Sequence, residues 1–178
     1  MLAPRMVVLV GMILVAAASR LIPHPPNFAS ITAVALFAGA YFSSKRLAFL
    51  APLAALFLSD LALGLYYHME VVYLSFALVV CIGFWLQRRR RALPIAGAAL
   101  AGSILFFVVT NFGVWAFGSL YPKTMAGLMT CYVAAIPFFQ NTLLGDALYT
   151  AVLFGGFALA ESRFPRLGEP AVNSAKAS

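Results

Sequence analysis

The sequence is 178 residues long, 63% hydrophobic and only 10% charged, whereas a soluble domain is about 45–50% apolar and about 25% charged. With a mean hydropathy of +0.97, this composition excludes a soluble globular domain and predicts an integral membrane protein with one helical bundle. The net charge of +7 does not indicate a nucleic-acid partner, because the basic residues fall in short loops between apolar runs, which indicates that they set the membrane topology.

Six apolar segments approach the roughly 20 helical residues that cross the hydrocarbon core of a bilayer. They cover residues 6–22, 29–42, 47–67, 71–87, 93–117 and 138–160. The second segment is short, so we expect it to be locally tilted, re-entrant, or extended by residues 21–28. Residues 121–136 are too apolar for a free loop and precede Pro137. We predict that they form a short helix on the outer surface.

The first segment has a second interpretation. Arg5, the apolar run 6–15 and three successive alanines at 16–18 resemble a signal peptide with a small-residue cleavage site. We expect a retained first helix. Removal of this segment would leave five spans without changing the orientation of the others.

The basic residues predict the orientation of the bundle. Ten of the twelve lie at one set of helix ends, and Arg20 and Lys123 lie at the other. By the positive-inside rule, both termini and the two basic loops are cytoplasmic. We therefore expect a multi-pass protein of the bacterial inner (plasma) membrane, with a six-helix transmembrane domain over residues 1–162. Residues 163–178 are expected to be a disordered cytoplasmic tail.

The polar residues inside the spans are the candidate site. A charged side chain near the bilayer centre costs about 2.5–3.5 kcal/mol on insertion scales and usually faces a bundle interior or a wet cavity. In the predicted topology Asp60, Asn111, Asn141 and Asp146 all lie in the outer halves of their spans, and Trp115 shares a helix face with Asn111. These residues predict a cup that opens to the outside and binds a small-molecule substrate.

The loop over residues 20–28 completes the predicted cup. Three prolines within four residues fix the backbone and prevent the helix from continuing. Such a stiff loop can hold Arg20, His24 and Asn27 over the cup, as a lid or as a first contact for an anionic or metal-containing ligand. The alternative is a rigid surface turn with a solvated histidine.

A structural interpretation stays open for the same residues. Intramembrane polar side chains also join helices by hydrogen bonds of about 0.6 kcal/mol on average. Asp146 could form an ion pair with Arg20 or Lys123. No serine-hydrolase, zinc-protease or phosphate-loop motif is present, so we expect no enzyme, cofactor or metal site.

Four stretches carry a family resemblance: RLIPHPPNFASITAVALFAGA at 20–40, LSDLALGL at 58–65, VTNFGVW at 109–115, and the segment 131–149. In them the chain resembles a family of small bacterial membrane proteins of unknown function, DUF6580. More distantly, the architecture is similar to the S components of energy-coupling-factor (ECF) vitamin transporters. That resemblance implies an all-α bundle of six transmembrane helices with both termini cytoplasmic, a ligand near the outer face, and a coupling membrane subunit with ATPases as partners.

Together these observations predict a membrane transport protein that captures a small, water-soluble, vitamin-like substrate from outside. A proton-coupled small carrier is a variant of this hypothesis, because Asp60 and Asp146 could exchange a proton. The alternative of another class is a structural or assembly membrane protein without a ligand. A lipid-modifying enzyme is a third possibility, and its structural sign would be a lipid-sized opening between helices.

Overall fold

The computed structural model describes residues 4–168 as a bundle of helices, without a strand in that range. In chain order the helices are α1 (Pro4–Ala18), α2 (Ile31–Tyr41), α3 (Lys45–Leu63), α4 (Met69–Leu86), α5 (Ala92–Phe117), α6 (Met125–Thr150) and α7 (Gly156–Arg163). Within the described part of the chain, five helical segments are long and apolar enough to cross a membrane. The prediction of an all-helical chain of the multi-pass membrane type is thus confirmed, while the detailed S-component-like fold stays a prediction.

Helix α2 is the centre of the bundle. Every residue from Thr32 to Tyr41 is buried, and α2 packs against α1, α3, α4, α5 and α6. Its closest neighbour is α4, where Gly39 and Gly83 meet with their backbones in contact. A Cβ atom added to Gly39 would lie 2.8 Å from the Gly83 Cα atom and 2.3 Å from the Val80 carbonyl oxygen. Small residues of this kind allow membrane helices to approach closely.

Helix α2 crosses only part of the bundle. Its 11 residues correspond to about 16 Å, roughly half of a hydrocarbon core of about 30 Å. Its first turn lies beside the middle of α5, where Thr32 contacts Gly102. Its last residue, Tyr41, lies under the guanidinium of Arg90. The short second span therefore begins near mid-depth and runs towards the end of the bundle that carries Arg5, Lys45, Arg46 and Arg88–Arg91, here called the basic end.

The sixth span is much longer than predicted. Helix α6, a π-helical segment (Ala151–Gly155) and α7 form one run of 39 residues, Met125–Arg163. The predicted surface helix at 121–136 and the predicted start of the span at 138 are therefore wrong. Pro137 lies inside α6, since membrane helices tolerate proline where neighbours compensate for the lost backbone hydrogen bond.

At the basic end, an ion pair connects α1 and α7. Arg5 of α1 lies 2.6 Å from the Glu161 carboxylate of α7 and donates to the carbonyl of Leu167. Pro165–Leu167 form a short 3-10 helix that packs on α1. The first residues of the predicted tail thus belong to the folded bundle, and residues 169–178 lie outside the described residues.

Candidate functional site

Asp60 is held in a buried ion pair. Its side chain is 1% exposed, and Arg20 Nη2 lies 2.8 Å from Oδ1. This contact is an ion pair, but its geometry is not that of a hydrogen bond. The Tyr73 hydroxyl donates to Oδ2 at 2.9 Å, and Arg20 also donates to the Ser59 hydroxyl. This cluster joins the end of α1 to α3 and α4. It brings together two of the predicted site residues, Asp60 and Arg20.

Asp146 has a different set of partners, all of them uncharged groups. The Ser103 hydroxyl donates to Oδ2 at 2.6 Å. The Thr32 hydroxyl and the backbone N–H of Ala33 are further hydrogen-bond donors to the same carboxylate. Thr32 and Ala33 belong to the first turn of α2, so Asp146 caps this buried helix and lies at the positive end of its dipole. The expected alternatives for Asp146, an ion pair with Arg20 or with Lys123, are not formed.

A cavity of about 700 Å³ lies between α5 and the run α6–α7. Of the eight predicted site residues, Asp146 alone lines it. Most of the lining is apolar, and seven of the lining residues are exposed at the surface: Ala92, Ala96, Leu100, Ala147, Ala151, Gly155 and Ala158. The cavity therefore opens sideways between two long apolar helices, at the level where a bilayer would place acyl chains.

The polar groups of the cavity are confined to its two ends. Arg90 and Tyr41 lie at the basic end, and Ser103, Asp146 and Thr150 lie near mid-depth. Thr150 is 6% exposed, and its hydroxyl has no hydrogen-bond partner among residues 4–168. A buried hydroxyl without a partner costs about 1–3 kcal/mol, so this hydroxyl is available to a bound molecule.

The π-helical segment lies directly at this cavity. Ala151, Phe154 and Gly155 belong both to the π-helix and to the lining. A single π-helical turn within an α-helix is rare and is often found at functional sites. Here it widens the helix one turn after Asp146, and a Cβ atom added to Gly155 would meet nothing within 4 Å. The free space beside α6 thus coincides with this irregular turn.

Two predicted site residues lie at the opposite end of α5 and away from the cavity. Asn111 donates to the Phe107 carbonyl of its own helix, and its backbone carbonyl accepts from the Cys131 thiol at 3.5 Å. The Trp115 indole donates to the Pro122 carbonyl at 2.9 Å. The Cys131 and Trp115 contacts fasten the α5–α6 connection, and the amide nitrogen of Asn111 and the indole N–H of Trp115 are both engaged within the chain.

The proline-rich segment before α2 lies along α6. Asn141 donates to the Pro26 carbonyl at 2.9 Å, and a Cβ atom on Gly145 would lie 3.1 Å from the Ala29 nitrogen. Asn27 has a left-handed backbone with φ of 62°, which a short polar side chain tolerates. Asn27 and His24 are exposed. The structure brings Asn141 to this segment but gathers neither His24 nor Asn27 around Asp60 or Asp146.

Several residues of both clusters were absent from the predicted site: Thr32, Ser59, Tyr73, Ser103 and Thr150. For Thr150 a signal was present, because it follows Asp146 by four residues and shares its helix face. Ser103 and Tyr73 carry no such signal, since each lies on a different helix from the aspartate it contacts.

Comparison with protein-family models identifies the family of this chain. No curated protein and no solved structure matches this chain. The model of a family of unknown function, DUF6580, matches residues 1–167. The predicted family resemblance is thereby confirmed, and the similarity to ECF S components is not shown. This chain is a member of the DUF6580 family.

Proposed function

We propose that the protein is a membrane transport protein that binds a small substrate in the cavity between α5 and α6–α7. One observation carries the proposal: Asp146, the unpaired Thr150 hydroxyl and the first turn of the short helix α2 meet at one end of a 700 Å³ cavity. Transporters commonly place their substrate site near mid-membrane, where a broken or half-length helix ends. A volume of about 300–1,000 Å³ is also typical of small-molecule sites.

The proposal moves the substrate away from the outer cup that the sequence predicted. Capture of a vitamin-like, water-soluble molecule beneath the proline-rich segment stays a prediction, as do the coupling subunit and the ATPases. What favours the cavity over the cup is the pattern of partners, because Asp60, Asn111, Trp115 and Asn141 are engaged with other groups of the chain.

The alternative, a structural membrane protein without a ligand, is also favoured by a specific observation. The experiment must therefore distinguish the two functions. Asp146 caps α2 through Thr32 and Ala33, so substitution of Asp146 changes both the helix cap and the cavity. A loss of ligand in an Asp146 variant would therefore not separate binding from folding. The test needs a residue that lines the cavity and takes no part in the hydrogen bonds around Asp146.

Gly155 meets that requirement. It lines the cavity, and a Cβ atom there meets nothing within 4 Å, so Gly155→Leu adds volume at the cavity from a position with open space. Gly97 on α5 has equally open space but lies in a groove shared with α4, so Gly97→Leu is the matched control. Small molecules that co-purify with the gently solubilised protein are identified by mass spectrometry. We expect the wild type and Gly97→Leu to retain the same molecule and Gly155→Leu to lose it. Equal retention in all three proteins would contradict the proposal.

A further inference from the structure

We infer that the cavity between α5 and α6–α7 binds a primary ammonium group at Asp146, on a ligand whose apolar part lies between the helices. This inference rests on the proposed function and adds the chemical class of the substrate. Its basis is a buried carboxylate that lines the cavity and whose partners among residues 4–168 are all uncharged. A buried hydroxyl without a partner in that range, Thr150, follows it by four residues.

The carboxylate of Asp146 has donors on three sides and room for one more. The hydroxyls of Ser103 and Thr32 and the backbone N–H of Ala33 donate to it, whereas a carboxylate has about four lone-pair sites. A buried carboxylate is normally paired with a cation or bound to a metal ion, and Asp146 forms no ion pair within residues 4–168. The remaining acceptor position therefore suits a cationic donor that the ligand supplies.

The number of acceptors around this position matches a primary ammonium group, which has three N–H donors. Asp146, Ser103 and Thr150 all line this part of the cavity. Asp146 and Thr150 lie four residues apart on one helix, so their Cβ atoms are about 5–6 Å apart. Ser103 donates its only hydrogen to the carboxylate, and its oxygen is still able to accept one. One N–H can thus bond to each of the three side chains.

The rest of the cavity determines what kind of cation fits. Beyond Asp146 the wall is mainly aliphatic and aromatic: Ile95, Ala99, Leu100, Leu143, Ala147 and Phe154. A metal ion would leave most of the 700 Å³ without contact, whereas an alkyl or aromatic body fills it and buries apolar surface. The opening between the helices gives such an amphipathic amine access from the bilayer.

The position of the ammonium group follows from the other charged residue of the lining. Arg90 lies at the basic end, engaged with the Tyr41 ring, and has the same charge as the ligand. Along α5 the cavity extends from Ala92, near Arg90, to Ser103, about 16 Å at the rise of an α-helix. The ammonium group therefore binds near mid-depth, and the apolar body extends from it along the wall.

Two probes of equal length test the charge: n-octylammonium, which is protonated at neutral pH as lysine is, and uncharged n-octanol. Each is titrated into the purified full-length protein by calorimetry in one non-ionic detergent, so that partition into micelles is the same for every variant. We expect Asp146→Asn to weaken octylammonium by about tenfold or more, because a charged hydrogen bond is lost. The same variant should bind octanol as the wild type does, and damage to the α2 cap would instead weaken both probes.

A second pair of probes tests the hydrogen bonds: octylammonium and octyltrimethylammonium, which has the same charge and no N–H donor. Thr150→Val keeps the shape of the side chain and removes a hydroxyl without a partner among the described residues, so we expect it to fold. It should weaken octylammonium about three- to tenfold and leave octyltrimethylammonium unchanged. If Asp146→Asn does not fold, this comparison decides the test.

Two control variants lie outside the cavity lining. Thr110→Val removes a hydroxyl that bonds within α5, and Glu70→Gln removes a negative charge from the exposed His68–Glu70 pair. Both should bind all three probes as the wild type does. Octylammonium binding that is unaffected by Thr150→Val, or equal weakening of both ammonium probes by that variant, would overturn the inference.

The same material distinguishes the failure of this inference from the failure of the proposed function. If the probes bind without dependence on Asp146 or Thr150 while Gly155→Leu loses a co-purified molecule, the cavity binds another chemical class and the inference alone is wrong. If no probe binds, and the wild type and Gly155→Leu retain the same molecules, the inference and the proposed function are both wrong.

Discussion

Asp60 and Asp146 are both almost completely buried, at 1% and 2% exposure, yet among the described residues only Asp60 has a cation as an ion-pair partner. The Arg20 guanidinium balances the charge of Asp60, and Tyr73 satisfies its second oxygen. Removal of one member of a buried ion pair leaves an uncompensated charge, which costs about 3–5 kcal/mol. For this reason we assign Asp60 and Arg20 a role in stability and reserve the role in binding for Asp146.

This assignment predicts how single and double substitutions of the ion pair behave. Asp60→Asn leaves the Arg20 charge buried, so we expect a loss of about 3–5 kcal/mol of unfolding free energy. The double variant Asp60→Asn with Arg20→Gln should lose clearly less than the sum of the two single changes. Chemical denaturation in detergent micelles measures the difference. Glu70→Gln, which alters the exposed His68–Glu70 pair, is the control and should not change stability. Additive losses in the double variant would show that the two side chains are not coupled.

At the scale of the helices, the main discrepancy between sequence and structure concerns α2 and α6. The sequence predicted a short second span, and its hydropathy could not indicate that this span is the buried centre, because burial depends on neighbours far away in the sequence. Proline at 137 was interpreted as a boundary between two helices, yet the bundle accommodates it within α6. Local patterns thus predicted which segments are apolar helices, while the long sixth helix depends on tertiary packing.

The contact between α2 and α4 yields a prediction of its own. Gly39→Ala adds a methyl group 2.3 Å from the Val80 carbonyl oxygen, a distance that forces the helices apart. Overpacking of this kind costs about 1–3 kcal/mol, so we expect a lower melting temperature and faster proteolysis. Gly97→Ala, with nothing within 4 Å of its added Cβ atom, is the matched control and should be neutral or slightly stabilising, since alanine favours helices over glycine. An unchanged melting temperature for Gly39→Ala would contradict the close packing of α2 on α4.

At the scale of the whole molecule, the structure differs from the sequence prediction more in the candidate site than in the fold. The sequence identified Asp60, Asp146 and Arg20 as exceptional, because charge in an apolar run stands out whatever the tertiary structure is. It could not pair Arg20 with Asp60, which lie far apart in the sequence. Nor could it separate the two aspartates into clusters that share no partner. Placing every polar residue in one outer cup assumed that similar depth means proximity, and the packing of the helices keeps the Asp60 and Asp146 partners separate.

The orientation of the bundle in the membrane determines whether the charged end of the cavity faces the cytoplasm or the outside. The cavity extends from mid-depth to Arg90, so the positive-inside rule predicts that its charged end faces the cytoplasm. Two exposed serines at opposite ends of the bundle test this: Ser43 between α2 and α3, and Ser119 between α5 and α6. Each is replaced by cysteine in a background that lacks Cys81 and Cys131. A membrane-impermeant maleimide should label Ser119→Cys in intact cells, and Ser43→Cys only after the membrane is permeabilised. The reverse pattern would place Arg90 outside, and the substrate of the cavity would then approach from the outer leaflet.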